Sequence, residues 1–303
     1  MDQLAALDTS VWIDGAEFTM GSDSHYPEEA PARRVSVDGF RLDAASVTNR
    51  QFDEFVTDTG YISVAERPLD PADFPGAPAE NLQPGSMVFT GTPGPVDLRH
   101  LSQWWAWIPG ASWRRPFGPA SSVRGLDRHP VVHVAYEDAE AYAVWAGRRL
   151  PTEAEWELAA RGGLEHAEYT WGDDAETDGE PRANYWHGDF PWRARPGYGA
   201  TTPVGSFAPN GFGLYDMAGN VWEWTSDWYS QPSPADGCCA PANPVGGSRE
   251  QSVDPRQPAM PRKVVKGGSF LCADSYCRRY RPAARRPQMI DTGMSHLGFR
   301  CAG

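Results

Sequence analysis

The sequence predicts an α+β fold: one loop-rich domain spanning residues 1–303, with little regular secondary structure. Three observations carry that reading. The 303 residues, 40% of them hydrophobic, suffice for one large core or two small ones, and neither an internal repeat nor a linker divides the chain. The 31 glycines and 28 prolines interrupt regular elements often, while 13 tryptophans supply large anchors that pin such a chain. Finally, only three short stretches keep a helical period, set among alternating runs and long loops.

Near the start, Val11 to Ser22 predicts two short strands joined by a turn containing Gly15, and Arg34 to Phe40 predicts another alternating strand; Pro27 to Pro31, between them, reads as a polar loop. Thr48-Asn49-Arg50-Gln51 is a capping box, after which Phe52, Phe55 and Val56 form the buried stripe of a helix ending near Gly60. Residues 67 to 127 show no sustained period, and structureless loops of that length are functional or misread. Trp104, Trp105, Trp107 and Trp113 argue against disorder there; they line a peptide groove or form the core such a segment needs.

Val131 to Val134 predicts a strand carrying His133 as a satisfied core histidine. Glu137 to Ala146 predicts a helix with Ala139, Tyr142, Ala143 and Ala146 on its inner face and Gly147 as its cap. Thr152 and Glu155 make a second capping box, opening a helix that turns Trp156, Ala159 and Ala160 inward and stops at Gly162-Gly163. From Trp171 onward the chain predicts strands and long loops.

A net charge of -13 disfavours nucleic acid and anionic membranes, both of which need a basic footprint, and favours a neutral or basic partner. Met1 to Asp8 lacks a positive region and an apolar region, so no signal peptide is expected, and no apolar run approaches membrane-spanning length. The expectation is a cytoplasmic protein. Five cysteines do not make a disulfide framework, and an odd number leaves at least one thiol unpaired within a single chain.

The chain is organised around Lys266 to Arg285, which holds Cys272 and Cys277. On a helix an offset of five turns the side chains roughly 140° apart, and on a strand it puts them on opposite faces. The two thiols converge only if a turn carries them, and Gly267-Gly268 supplies backbone freedom of that kind. On spacing alone, a binding or redox loop and a pair of inert cysteines behind a β-bulge both stand open. Asp216 to Trp224 places Asp216 and Glu223 around a Gly219-Asn220 turn, a pattern that fits an oxygen-rich cation loop and also a plain Asp-initiated turn. The arginines Arg278, Arg279, Arg281, Arg285 and Arg286 either recruit an anion or form internal ion pairs.

Together, Gly147 to Glu157, Asn210 to Tyr215, Gly219 to Trp224, Gly267-Gly268-Ser269 and Gly298-Phe299-Arg300 resemble the formylglycine-generating enzyme, or sulfatase-modifying-factor, family, over about Trp12 to Cys301. The resemblance implies that family's loop-rich fold, a relative of the C-type-lectin-like fold. That fold also hosts non-enzymatic modules and iron-dependent sulfoxide synthases, so fold alone does not fix function. The segment Ser269 to Cys277, followed by Arg279-Tyr280-Arg281, is similar to the active-site segment of the true formylglycine-generating enzymes.

The resemblance implies an oxidase that uses O2 to convert a cysteine in a sulfatase Cys-x-Pro-x-Arg segment to Cα-formylglycine. It implies Cys272 and Cys277 as Cu(I) ligands joined by the substrate thiol, with Ser269 in the oxygen and substrate pocket. His296 stands where relatives often carry Asn, and its implied role is to orient oxygen or a proton. For Ca2+ the resemblance implies a site at Asp216, Gly219, Val221 and Glu223, and a weaker one at Asn184 and Tyr185, whose usual Asp is replaced within Arg195 to Tyr198. Ala143, Ala160 and Pro282 stand where secreted relatives carry structural disulfides, so Cys301 is expected to be unpaired. The vicinal Cys238-Cys239 is open to three readings: a strained disulfide, a metal site or two buried thiols. The implied partner is an unfolded or nascent sulfatase polypeptide, met by a monomer. The alternatives are a non-catalytic peptide or ligand-binding module on the same fold and an iron sulfoxide synthase; the second lacks here its added helical-bundle histidines.

Overall fold

A computed structural model describes residues 7, 9–72, 76–78, 82–177, 179–232, 240–256 and 260–303. Cys238-Cys239 and, apart from Leu7, the segment Met1 to Asp8 lie outside them. Four N-terminal strands nest as two antiparallel pairs: β1 (Ser10–Ile13) with β4 (Phe40–Asp43), and β2 (Ala16–Met20) with β3 (Arg33–Val37). Alternation sends Phe18, Val35, Phe40 and Leu42 inward, where they meet Trp156, Ala159 and Ala160 of a helix. The segment predicted as a polar loop between β2 and β3 is a 3-10 turn at Pro27–Glu29, and Glu29 is fully buried because Arg281 neutralises it.

Helix α1 (Asn49–Thr59) starts with Thr48 as cap and Gln51 completing the box, and ends at Gly60 with φ 69°. Its Phe52 is sealed among Phe55, Trp113, Tyr142 and Phe299, with ring centroids 5.1 to 6.4 Å away. Truncating such a ring to alanine costs about 3–5 kcal/mol. The long aperiodic stretch contains a hairpin, β5 (Gly85–Phe89) with β6 (Trp105–Pro109). Trp104 and Trp113 are core residues, whereas Trp105 and Trp107 are half-buried.

Val131 to Val134 is not a strand. His133 sits at φ 62°, which breaks the extended path, and Gly293 packs so closely that a Cβ there would lie 2.4 Å from the His133 carbonyl. The satisfied-core reading of His133 fits the geometry: its ring bonds Ser86 Oγ at 2.8 Å and the Pro116 carbonyl at 2.9 Å. Helix α2 (Tyr136–Trp145) buries Ala139, Tyr142 and Ala143, but Ala146 lies past its end and is exposed. Helix α3 (Glu153–Arg161) has the Thr152–Glu155 capping box and stops at Gly162 with φ 57°.

The largest sheet has the order β9 (Arg285–Met289), β8 (Arg262–Lys266), β7 (Trp222–Trp228), β10 (Leu297–Gly298); its only parallel pair is β7 with β10. One face turns the row Glu223, Lys266, Arg285 toward α3, and the other turns Trp224 and Val265 into the core that holds Cys272 and Cys277. The charged row survives burial because it is paired. Lys266 Nζ lies 2.9 Å from Glu157, and Arg285 bonds both oxygens of Glu153. No helix among the described residues is long and apolar enough to cross a membrane.

Candidate active site

The thiol loop leaves β8 through Gly267 and Gly268, at φ 95° and 72°. A Cβ on Gly268 would meet the Arg279 carbonyl at 2.7 Å, so the chain can fold back over itself only with glycine there. A run of tight turns follows: Cys272 N–H donates to the Ser269 carbonyl, and the N–H groups of Tyr276 and Cys277 both donate to Ala273. These turns bring the sulfurs of Cys272 and Cys277 to 3.4 Å, both buried and both free. Regular structure would have parted them.

The two thiols are electrostatically unequal. The hydrogen bond from Cys272 and then the Arg279 guanidinium, 3.6 Å from the sulfur, hold the Cys277 thiol down at about 6. Burial and the neighbouring sulfur push Cys272 up. The asymmetry makes Cys277 the sulfur that ionises more readily and Cys272 the one that keeps its proton. Arg279 is itself anchored on Glu28 at 2.5 Å, and Tyr276 stacks on Phe190 at 4.8 Å. Arg279 thus belongs with the ion-paired reading of the arginine cluster, while Tyr276 lies in the motif without a role expected of it from the sequence.

Ser269 is fully buried beside Cys272, but its hydroxyl accepts from the Leu271 N–H at 3.2 Å and so also shapes the turn. His296 is buried, held neutral by burial and then by Arg286, and its ring packs on Trp105 at 4.8 Å. Its Nδ1 finds no partner among the described residues. It approaches the loop at the start of β7: Phe270 N–H donates to the Asn220 carbonyl, and Trp222 N–H to the His296 carbonyl.

The donor set fits Cu(I): two soft sulfurs held together, with no carboxylate or histidine completing a harder cluster among the described residues. The calcium residues fit less well. Both oxygens of Glu223 are taken, by Ser46, Trp156 and twice by Arg300, so the loop's positive charge is a guanidinium and Glu223 is not a free ligand. Asp216, at φ 53°, accepts from Gly205 N–H at 2.8 Å and is raised to about 6 by burial. Gly219 and Val221 follow it in the same turn, where Gly219 bridges to Asn184 and the Asn220 N–H donates to the Asn184 carbonyl. Asn184 Oδ1 is buried without a partner, which suits a cation or a water, but no carboxylate joins it; Tyr185 stacks on Tyr280 at 4.0 Å.

Fold and site define a class: a loop-rich α+β domain that buries a pair of free cysteines in contact. The chain belongs to the family whose model is described as the sulfatase-modifying factor enzyme 1-like domain, which matches residues 2–303. It is 53% identical over 295 residues to a formylglycine-generating enzyme from Mycobacterium tuberculosis, covering 95% of each chain. A formylglycine-generating enzyme from Thermomonospora curvata is 45% identical over 304 residues, covering 96% of this chain and 92% of that one. Among solved structures, PvdO from Pseudomonas aeruginosa superposes with a TM-score of 0.61 at 24% identity, over 97% of this chain and 94% of that one, a likeness of fold.

Proposed function

We propose that this protein is a formylglycine-generating oxidase that activates sulfatases. It converts the cysteine of a Cys-x-Pro-x-Arg segment, in an unfolded or nascent sulfatase, to Cα-formylglycine with O2. The observation that carries this reading is the reduced Cys272–Cys277 pair at 3.4 Å, inside a family whose close relatives bear that activity by name. In this reading Cys272 and Cys277 hold Cu(I), which supplies a soft, redox-active centre for a further sulfur ligand and for oxygen reduction.

The chain's own residues do the remaining work. The hydrogen bond from Cys272, and then Arg279, favour the ionised form of Cys277, which readies that sulfur for a soft metal. Ser269 and the glycines fix the loop, which matters because a misplacement of about 1 Å can cost on the order of 10²-fold in rate. Trp105, Phe270 and His296 provide a dry wall. Beside Phe270 and Ser295 an apolar pocket of 190 Å³, lined also by Phe89, Pro116 and Phe117, suits an apolar side chain of the client. A cytoplasmic monomer fits this reading, since Cys301 is a buried free thiol, raised by burial and therefore inert in a reducing compartment.

The test is mass spectrometry of a Cys-x-Pro-x-Arg peptide incubated with copper-loaded protein and O2. Conversion of the thiol to the aldehyde supports the reading. An unchanged peptide across several sulfatase sequences favours a non-catalytic module.

A further inference from the structure

Of the five arginines between Cys277 and Pro287, four are spent internally. Arg278 bonds Tyr169 and Asp274, Arg279 bonds Glu28, Arg281 bonds Glu29 and Arg285 bonds Glu153. The Arg286 side chain makes no hydrogen bond and no ion pair among the described residues, and the residue is half-buried. The chain has 40 acidic residues against 27 lysines and arginines, yet none of the described ones pairs with Arg286.

Strand geometry says where this cation points. Arg285 pairs in register with Lys266 and faces α3, so Arg286, opposite Val265, projects to the other face, the one whose core contains Cys272 and Cys277. Val265, its register partner, shares that core with both cysteines, and Tyr276 packs against it, so Arg286 stands on the sheet face that borders the thiol site.

We propose that Arg286 reads the charge of the substrate: it pairs with a carboxylate side chain flanking the target cysteine and repels a cationic one. This rests on the oxidase reading above. A guanidinium offers a planar fork matched to a carboxylate, and a like charge brought to the same place is rejected. The client motif carries its own Arg after the cysteine. A fixed cation at the site rim therefore also sets the direction in which the peptide lies, with its acidic side toward β9.

The test uses Cys-x-Pro-x-Arg peptides in which Glu, Gln or Lys is placed in turn at each of three positions before the cysteine. Turnover by copper-loaded protein gives kcat/KM. Binding of the same peptides with the target cysteine replaced by serine to copper-free protein gives affinity without catalysis. At one position or more, wild type should favour Glu over Lys about five- to tenfold, through KM and less so at high salt. Arg286→Gln should flatten that preference, Arg286→Glu should invert it and Arg286→Lys should keep it, with melting curves as the folding control. Equal handling of Glu and Lys peptides by wild type, or an undiminished preference in Arg286→Gln, overturns the proposal. Absence of turnover with the binding preference intact would instead fault the oxidase reading and leave the charge-reading role standing.

Discussion

Glu223 and Arg300 hold each other in a two-point pair, Nε to Oε2 at 2.7 Å and Nη2 to Oε1 at 2.8 Å, and both side chains are sealed from solvent. Ser46 and Trp156 take the remaining carboxylate positions, and the other guanidinium protons go to the carbonyls of Asp43, Ala44 and Tyr215. Two segments that look separate in the sequence, Trp222-Glu223-Trp224 and Gly298-Phe299-Arg300, are thus the halves of one buried contact. It locks β7 to the chain's end and fixes the register from which His296 and the thiol loop are hung.

Glu223→Gln should cost about 3–5 kcal/mol, because it leaves Arg300 buried without its counter-ion. The loss should be the same in calcium and in chelator, read from denaturant midpoints. A loss that appears only when calcium is present would return Glu223 to the role of cation ligand.

A similar argument applies to Glu29 and Arg281, paired at 2.6 and 3.0 Å across 252 positions of sequence and both buried. Either truncation alone should cost about 3–5 kcal/mol, whereas replacing both with apolar residues of similar volume should recover much of it. A double-mutant cycle checks this; strictly additive losses would contradict it.

His133 makes stability depend on pH in a stated direction. Burial holds it down at about 4, so the folded protein keeps it neutral while the unfolded chain protonates it near 6.5. Its ring is held between Ser86 Oγ and the Pro116 carbonyl, and Ser86 Oγ donates its own proton to the Gly293 carbonyl. The contribution is full above 6.5 and is lost as pH falls toward 4, amounting to about 3 kcal/mol. Thermal melts across that window should show a slope that His133→Asn lacks in part; equal slopes would contradict the assignment.

What was legible in the sequence was local or carried by motif. The capping boxes at Thr48 and Thr152 need only four consecutive residues each, and both formed as expected. The convergence of Cys272 and Cys277 followed from their spacing and from two glycines, once a family resemblance made a turn the favoured geometry. The failures are tertiary. Val131 to Val134 has strand composition, but contact with Gly293 forces His133 to positive φ. Glu29 lies in a stretch that looks solvated, and only Arg281, far along the chain, makes its burial affordable. Glu223 looked like a free carboxylate for the same reason: its partner is 77 positions away. Arg286 was indistinguishable from its four neighbours until each of those had found an acid.

The central claim is that two thiols, acting together, make the aldehyde. The most direct measurement is aldehyde formation on a Cys-x-Pro-x-Arg peptide by copper-loaded wild type, Cys272→Ala, Cys277→Ala and Cys301→Ala, with circular dichroism to confirm folding. Losing either sulfur of the pair leaves one soft ligand and a misplaced substrate thiol, so each of the first two variants should fall by on the order of 10²-fold or more. Cys301→Ala removes a buried thiol beside Asp43 that makes no hydrogen bond to either sulfur of the pair among the described residues, and should keep wild-type turnover. Full turnover by a folded Cys272→Ala or Cys277→Ala protein would contradict the account.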